Sequence, residues 1–141
     1  KETIGDIDIV IVAEQKNRKK IVSRIIKLPQ VEKILAQGTT KVSLVLKENR
    51  VQVDMRIVHH YEYGAAMLYF TGSKEHNIKL RAIAKARGYK INEYGIFDTA
   101  TNKRLAGETE EEMYHFLHLK YIPPEQRLDK GEIEKAILAK Q

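Results

Sequence analysis

The sequence predicts an α+β chain in two parts, and three observations carry that prediction. Residues 7–12 and residues 42–57 are apolar or alternate at the period of a strand. Between them, residues 17–37 are rich in Lys, Arg, Ile, Leu and Gln, the composition of helix. Composition changes near Tyr61, and beyond it cap, helix, short strands and a second capped helix succeed one another. The boundary is drawn at residue 62, giving parts 1–62 and 63–141.

Ile7, Ile9 and Ile11, with Val10 and Val12 between them, predict a strand buried on both faces. Pro29 interrupts the helical segment 17–37, so two helices are expected there, stopped by Gly38. Val42, Leu44 and Leu46 alternate with polar residues, Lys47-Glu48-Asn49-Arg50 makes a turn, and Val51, Val53, Met55 and Ile57 alternate again. That is a hairpin whose second strand sends Gln52, Asp54 and Arg56 to one face. In the second part, residues 63–70 form a short apolar stretch ended by Thr71-Gly72. Ser73 caps a helix to Arg87, and Gly88 closes it. Residues 89–93 and 95–97 predict a small hairpin or two short strands. Thr109 followed by Glu112 is a capping box opening a helix to about Leu117, Pro123-Pro124 breaks regular structure, and residues 132–140 predict a short helix or the start of a linker.

The 141 residues are 43% hydrophobic, enough for a core, and contain no cysteine, which excludes disulfides, zinc–thiolate sites and thiol nucleophiles. This agrees with a reducing, cytoplasmic setting. No apolar run approaches the roughly 20 residues of a membrane helix, so no membrane partner is expected. A net charge of +6 and a pI near 9.4 favour a polyanionic partner. The chain opens on Lys1, a few residues before a strand. It is therefore expected to be an excised fragment whose missing part lies N-terminal.

The chemistry begins at Gly5-Asp6-Ile7-Asp8. Aspartates two positions apart on a strand share a face. Bare carboxylates side by side repel, and a divalent cation between them reverses that. Gly5 leaves room for a phosphate or metal. Asp54 stands among apolar neighbours on another strand and completes a carboxylate set for two magnesium ions, with manganese as an alternative. Such a site deprotonates an attacking hydroxyl and neutralises a triphosphate. The competing reading is a solvated pair at the start of a strand.

At Tyr69-Phe70-Thr71-Gly72-Ser73, with an Asn four residues after Ser73 and an Arg eight after it, the chain resembles the family X DNA polymerases, most closely their bacterial and archaeal branch. The resemblance covers essentially the whole chain. It implies a nucleotidyltransferase palm sheet with helices, incomplete at its N-terminus, over residues 1–62, and a small α+β thumb over 63–141. It implies that Asp6, Asp8 and Asp54 are metal ligands, with Asp54 accepting the primer hydroxyl's proton and Arg56 holding a carboxylate. Gly5 belongs to the nucleotide site. Tyr69 and Phe70 pack on the sugar and base of the incoming nucleotide, and the turn at Thr71-Gly72 excludes a ribose 2′-hydroxyl. Asn77 reads that nucleotide's minor-groove edge, and Arg81 reaches the templating base. Lys74 and Lys85 extend the same helix face toward DNA, since residues four apart are neighbours. Without the resemblance, Tyr69 and Phe70 read as core aromatics and Asn77, Arg81 and Lys85 as a solvated helix face.

The chain departs from the family pattern in several places. The family's Gly-Ser turn that grips triphosphate falls just before Lys1, as do its helix-hairpin-helix regions. Gln52 stands where DNA polymerase beta carries arginine, and Lys74-Glu75-His76 differ from that protein's residues. In the family's bacterial members a metal-dependent exonuclease domain follows a segment like Gly131-Glu132-Ile133-Glu134; this sequence does not include it, so no nuclease activity is expected of the chain. His59, His60, His76, His115 and His118 show no ligand spacing and read as surface or packing residues, with His59 and His60 near the DNA side. The acidic run 108–112 reads as a helix N-terminus favoured by the dipole. The expected function is templated addition of deoxynucleotides to a primer 3′ end in short-gap repair, by a monomer with primer-template or gapped DNA and deoxynucleoside triphosphates as partners. The rivals are a binding module inactive in isolation, and a non-templated nucleotidyltransferase acting on RNA or protein.

Overall fold

The computed structural model describes residues 6–137, and its first departure from the sequence-based expectation falls at Pro29. Helix α1, Gln15–Ile26, forms as expected before it. The next element is a strand, β2, Val31–Gln37, in place of the expected second helix. Its residues are good helix formers, but propensity is a weak prior and pairing with a neighbouring strand overrides it. Its lack of clean alternation leaves a trace: the ladder with β3, Lys41–Leu46, slips between Val31 and Lys33 and again between Ile34 and Ala36.

The chain divides into two compact units, Lys1–His60 and Tyr61–Gln141. In the first, β1 (Ile7–Val12), β2, β3 and β4 (Gln52–Val58) make one sheet in the order β1-β4-β3-β2. The β3–β4 hairpin is as expected; Asn49 and Arg50 take left-handed backbone in its turn. β1 runs parallel to β4, a connection spanned by α1 and the hairpin strands. Strand residues alternate faces. Val53, Ile57, Val42 and Leu44 therefore point one way, where Ile21, Val22, Ile25 and Ile26 of α1 cover them. Gln52, Asp54 and Arg56 point the other way.

β1 is not buried on both faces. It is an edge strand, with Ile7 44% and Ile9 39% exposed, and of its isoleucines Ile11 alone packs into the cluster under α1. An unbroken apolar run signals burial only when other elements cover it, and among the described residues β1 has β4 alone as a strand neighbour.

The second unit is built on its own core of Leu68, Leu80, Ile96, Met113, Leu117, Leu119 and Ile133 with their neighbours. Its elements are α2 (Tyr63–Thr71), α3 (Lys74–Ala86), a sheet of β5 (Tyr89–Asn92), β6 (Gly95–Asp98) and β7 (Arg104–Ala106), then α4 (Glu110–Phe116) and α5 (Glu132–Ala136). The caps at Ser73 and Thr109 form as expected, accepting from His76 N–H and Glu112 N–H. β7 has no counterpart in the sequence-based expectation: three residues are too few to show a period. α2 starts without a side-chain cap; its Gly64 and Ala65 N–H groups donate to the carbonyls of Glu108 and Gly107. That approach requires Gly64, since a Cβ there would lie 2.1 Å from the Thr109 carbonyl carbon. No helix of the described residues is long and apolar enough to cross a membrane.

Candidate active site and nucleotide face

In the first unit, parallel pairing of β1 with β4 sets Asp8 directly opposite Asp54. Both side chains lie on the sheet face away from α1. Their environments push them in opposite directions. Asp8 is raised above the ordinary carboxylate value, first by burial, then by the charges of Asp54 and Asp6. Burial pushes Asp54 up as well, but hydrogen bonds from Gln52 and Ser43 and the charges of Lys41 and Arg56 outweigh it and hold Asp54 low. The Gln52 amide donates to Asp54 Oδ1 at 3.0 Å. Ser43 pairs with Asp54 across β3 and β4 and is itself buried. Asp54 is thus the more readily ionised of the two, and Asp8 the one whose carboxylate a neighbouring cation would stabilise most.

Asp6 lies exposed just before β1 and acts on Asp8 through its charge. Gly5 lies outside the described residues. Among the described residues no three His, Asp or Glu side chains stand close enough to enclose a metal ion. This still fits magnesium, which keeps its waters and binds through one or two carboxylates together with substrate phosphates in preference to an all-protein cage. The facing pair supplies the oxygen donors that such an ion requires. Sequence reasoning named Gln52 and Arg56 on this face but missed Ser43 and Lys41; the hairpin register, one strand over from Asp54, was the available signal.

In the second unit, the face expected to meet a nucleotide runs from the end of α2 into α3. Tyr69 is exposed and meets half-buried Phe70 edge to face, ring centroids 4.9 Å apart. Thr71 ends α2 and Gly72 comes next with φ +69°, a conformation that glycine adopts without strain. Asn77 turns inward. Its amide donates to the carbonyls of Tyr69 at 3.0 Å and Leu68 at 3.4 Å, tying α3 to the last turn of α2, and its buried Oδ1 has no partner among the described residues. Tyr69, Asn77 and Arg81 line one small pocket with Leu68, Leu80 and Ile91. Arg81 and Lys85 line a wider groove beside it with Lys90 and Tyr89. Lys74 is exposed at the start of α3 and lines neither.

A buried polar network holds this face from behind. His76 is fully buried, its Nδ1 2.6 Å from Glu132 and its Nε2 2.7 Å from the Tyr114 hydroxyl. An ionised carboxylate only accepts, so Nδ1 carries the proton and the Tyr114 hydroxyl donates to Nε2. Arg127, also fully buried, donates to Glu110 at 3.0 and 3.3 Å and to the Ile122 carbonyl at 2.8 Å, and lies against the rings of Tyr114 and Tyr121. The Arg127 carbonyl accepts from Ser73 N–H at 3.0 Å. His76 is a packing residue, as expected, but its partners lie 38 and 56 positions away, and no local pattern announces them.

Comparison with known proteins agrees with the second unit. The family described as DNA polymerase beta thumb matches residues 66–128. The chain is 37% identical over 135 residues to the DNA polymerase/3′-5′ exonuclease PolX of Bacillus subtilis, covering 95% of this chain and 23% of that protein. It is 30% identical over 128 residues to the repair DNA polymerase X of an African swine fever virus isolate, covering 89% of this chain and 74% of that protein. It is 33% identical over 104 residues to the human DNA-directed DNA/RNA polymerase mu, covering 73% and 21%. The chain thus spans about a quarter of the bacterial relative and about three-quarters of the viral one. A mixed α/β chain matched over nearly all of itself by named polymerases, and over residues 66–128 by the DNA polymerase beta thumb family, belongs to the family X DNA polymerases.

Proposed function

We propose that the protein carrying this chain adds deoxynucleotides to a primer 3′ end, the first unit acting as part of the catalytic palm and the second as the nucleotide-selecting thumb. The observation that carries this reading is the in-register pair Asp8–Asp54. Asp8 and Asp54 would hold magnesium as the facing pair, with Asp6 as a third ligand that closes on the ion when it binds. When bound, the metal supplies charge to the developing oxyanions and acidity to the primer hydroxyl. Asp54, kept ionised by Gln52, Ser43, Lys41 and Arg56, accepts the proton of the attacking hydroxyl.

Tyr69 and Phe70 form the wall against the sugar and base, with Thr71 and Gly72 bringing backbone close to the sugar. Arg81, Lys85 and Lys74 meet DNA. Asn77 contributes to nucleotide selection in one of two states. Donating to Tyr69 and Leu68, it fixes the wall; released from them, its amide donates to a minor-groove acceptor, a group that every base pair presents. The names of the relatives support DNA synthesis, DNA-directed in the human one, and the viral relative's name supports a repair setting; action on short gaps is part of the proposal. Asp54→Ala in the full-length protein tests the proposal. Primer extension on gapped DNA is expected to fall by more than ~10³-fold, beyond the loss of one electrostatic donor, with circular dichroism unchanged. Extension at the wild-type rate would end the assignment.

A further inference from the structure

The basic surplus of the chain is not spread over its surface. Residues 14–28 hold six cations against one acid, Glu14, a local surplus of five. Residues 74–90 of the second unit hold an equal surplus, six cations against Glu75, so the basic charge is concentrated in two segments, of which α1 with its ends is one. Arg18 does not contribute to the outer face: it is buried, and its Nε donates to the Ala13 carbonyl at 3.2 Å. Lys16, Lys19, Lys20, Arg24 and Lys27 are all exposed. At about 100° per residue they fall on one arc of the helix. The opposite arc is Ile21, Val22, Ile25 and Ile26, packed on the sheet. Among the described residues the one acid within ion-pair reach of the stripe is Glu14, 3.7 Å from Lys16 with both side chains largely exposed, a pair worth little.

We propose that the outer face of α1 is a second, sequence-independent docking surface for the phosphate backbone of duplex DNA, on the side of the sheet away from Asp8 and Asp54. The stripe from Lys16 to Lys27 is about 16 Å long at 1.5 Å per residue, and duplex DNA presents one charge per ~1.7 Å of axis. Several phosphates thus lie within reach of these long, flexible, exposed cations. The helix contributes no acid to oppose them and is anchored by its apolar face, so it presents the stripe without a folding cost. Sheet and helix together separate the stripe from the carboxylates. The stretch of DNA it holds is therefore not the stretch that carries the reacting primer end. Such a surface keeps the enzyme on DNA between productive encounters, by sliding or hopping.

This inference rests on the reading of the chain as part of a DNA-handling enzyme, and its test separates the two. Binding of the full-length protein to a blunt 30-base-pair duplex, which offers no gap, is measured by fluorescence anisotropy across a salt series. The variant carries Lys19→Gln, Lys20→Gln, Arg24→Gln and Lys27→Gln. The slope of log K against log salt is expected to become shallower by about 3–4, at ~0.9 for each phosphate no longer neutralised. The corresponding Lys→Arg variant is expected to keep the wild-type slope. Extension of gapped primers at saturating DNA is expected to be unchanged, since these residues lie across the sheet from the site. Should the fourfold variant fail to fold, Lys20→Gln with Lys27→Gln is expected to lower the slope by about 2. An unchanged slope in a folded variant overturns the proposal. So does an unchanged slope accompanied by lost binding to phosphatidylserine vesicles, which would assign the stripe to an anionic membrane. A wild-type protein that binds duplex but extends no primer would sink the polymerase reading and leave the slope comparison standing.

Discussion

The two units bury opposite things. The first leaves its carboxylates and much of its apolar edge on the surface: Ile7, Ile9, Val12, Ile34 and Leu35 are all exposed. The second buries a histidine and an arginine beside its apolar core, with His76, Tyr114 and Arg127 all at 0% exposure and their acidic partners Glu132 and Glu110 partly buried at its margin. The first positions its chemistry by strand period and register alone, so Asp8 meets Asp54 because backbone pairing leaves no alternative. The second positions its face by tying the start of α3 to distant segments through buried charge. The first should therefore tolerate side-chain changes in its edges, and the second should respond sharply to single changes of charge.

The largest stability effect should come from the Arg127–Glu110 pair. Removing one partner of a buried ion pair strands the other, at about 3–5 kcal/mol. Glu110→Gln is expected to lower the stability of the second unit toward that range in urea unfolding. A loss under ~1 kcal/mol would place the pair in effective contact with water and dissolve the contrast.

Acid gives the next effect, with its sign set by two groups. Burial pushes Glu132 up, but hydrogen bonds from His76 and from the backbone of Lys130 and Asp129 hold it down at about 2, against 4.5 ordinarily. Its contribution is present above pH 4.5 and is lost as pH falls toward 2. Burial holds His76 below its ordinary 6.5, although Glu132 pulls the other way. The unfolded chain thus takes up a proton near pH 6.5 that the folded one resists, and stability again falls with pH. Thermal melting at pH 7, 5 and 3 is expected to show a progressive loss on the order of 2–3 kcal/mol from Glu132, largely abolished in Glu132→Gln. A second unit as stable at pH 3 as at pH 7 would contradict the buried network.

The smallest effect sharpens the comparison from the other side. Ile9→Thr in β1 is expected to change stability by less than ~0.5 kcal/mol, as at other exposed positions, despite the isoleucine's place in an apolar strand. A cost like that of a core isoleucine would mean that β1 is covered in solution.

Local chemistry made much of this legible in the sequence. Ser73 and Thr109 cap their helices because hydroxyls satisfy orphan N–H groups within three residues, and the β3–β4 hairpin comes from alternation across a polar turn. The shared face of Asp54, Gln52 and Arg56 has the same origin in the strand period. The features that escaped sequence reasoning were those decided at a distance. Residues 31–37 form a strand because β3 offers unpaired backbone, β1 is exposed because it lies at an edge, and His76 is buried because Glu132 and Tyr114 meet it there. Asn77 shows the limit most clearly: its place in the motif indicated a role toward the nucleotide, and nothing in it indicated that the amide would be donated to α2.

The central claim is that Asp8 and Asp54 act as an electrostatically coupled pair awaiting a cation. Carbon-13 NMR titration of the aspartate carboxyls, with and without magnesium, tests it most directly. Without metal, Asp8 is expected to titrate above the ordinary carboxylate value of 3.8 and Asp54 below it; magnesium is expected to shift both resonances and draw Asp8 down. Two independent titrations at 3.8, unmoved by magnesium, would contradict the account.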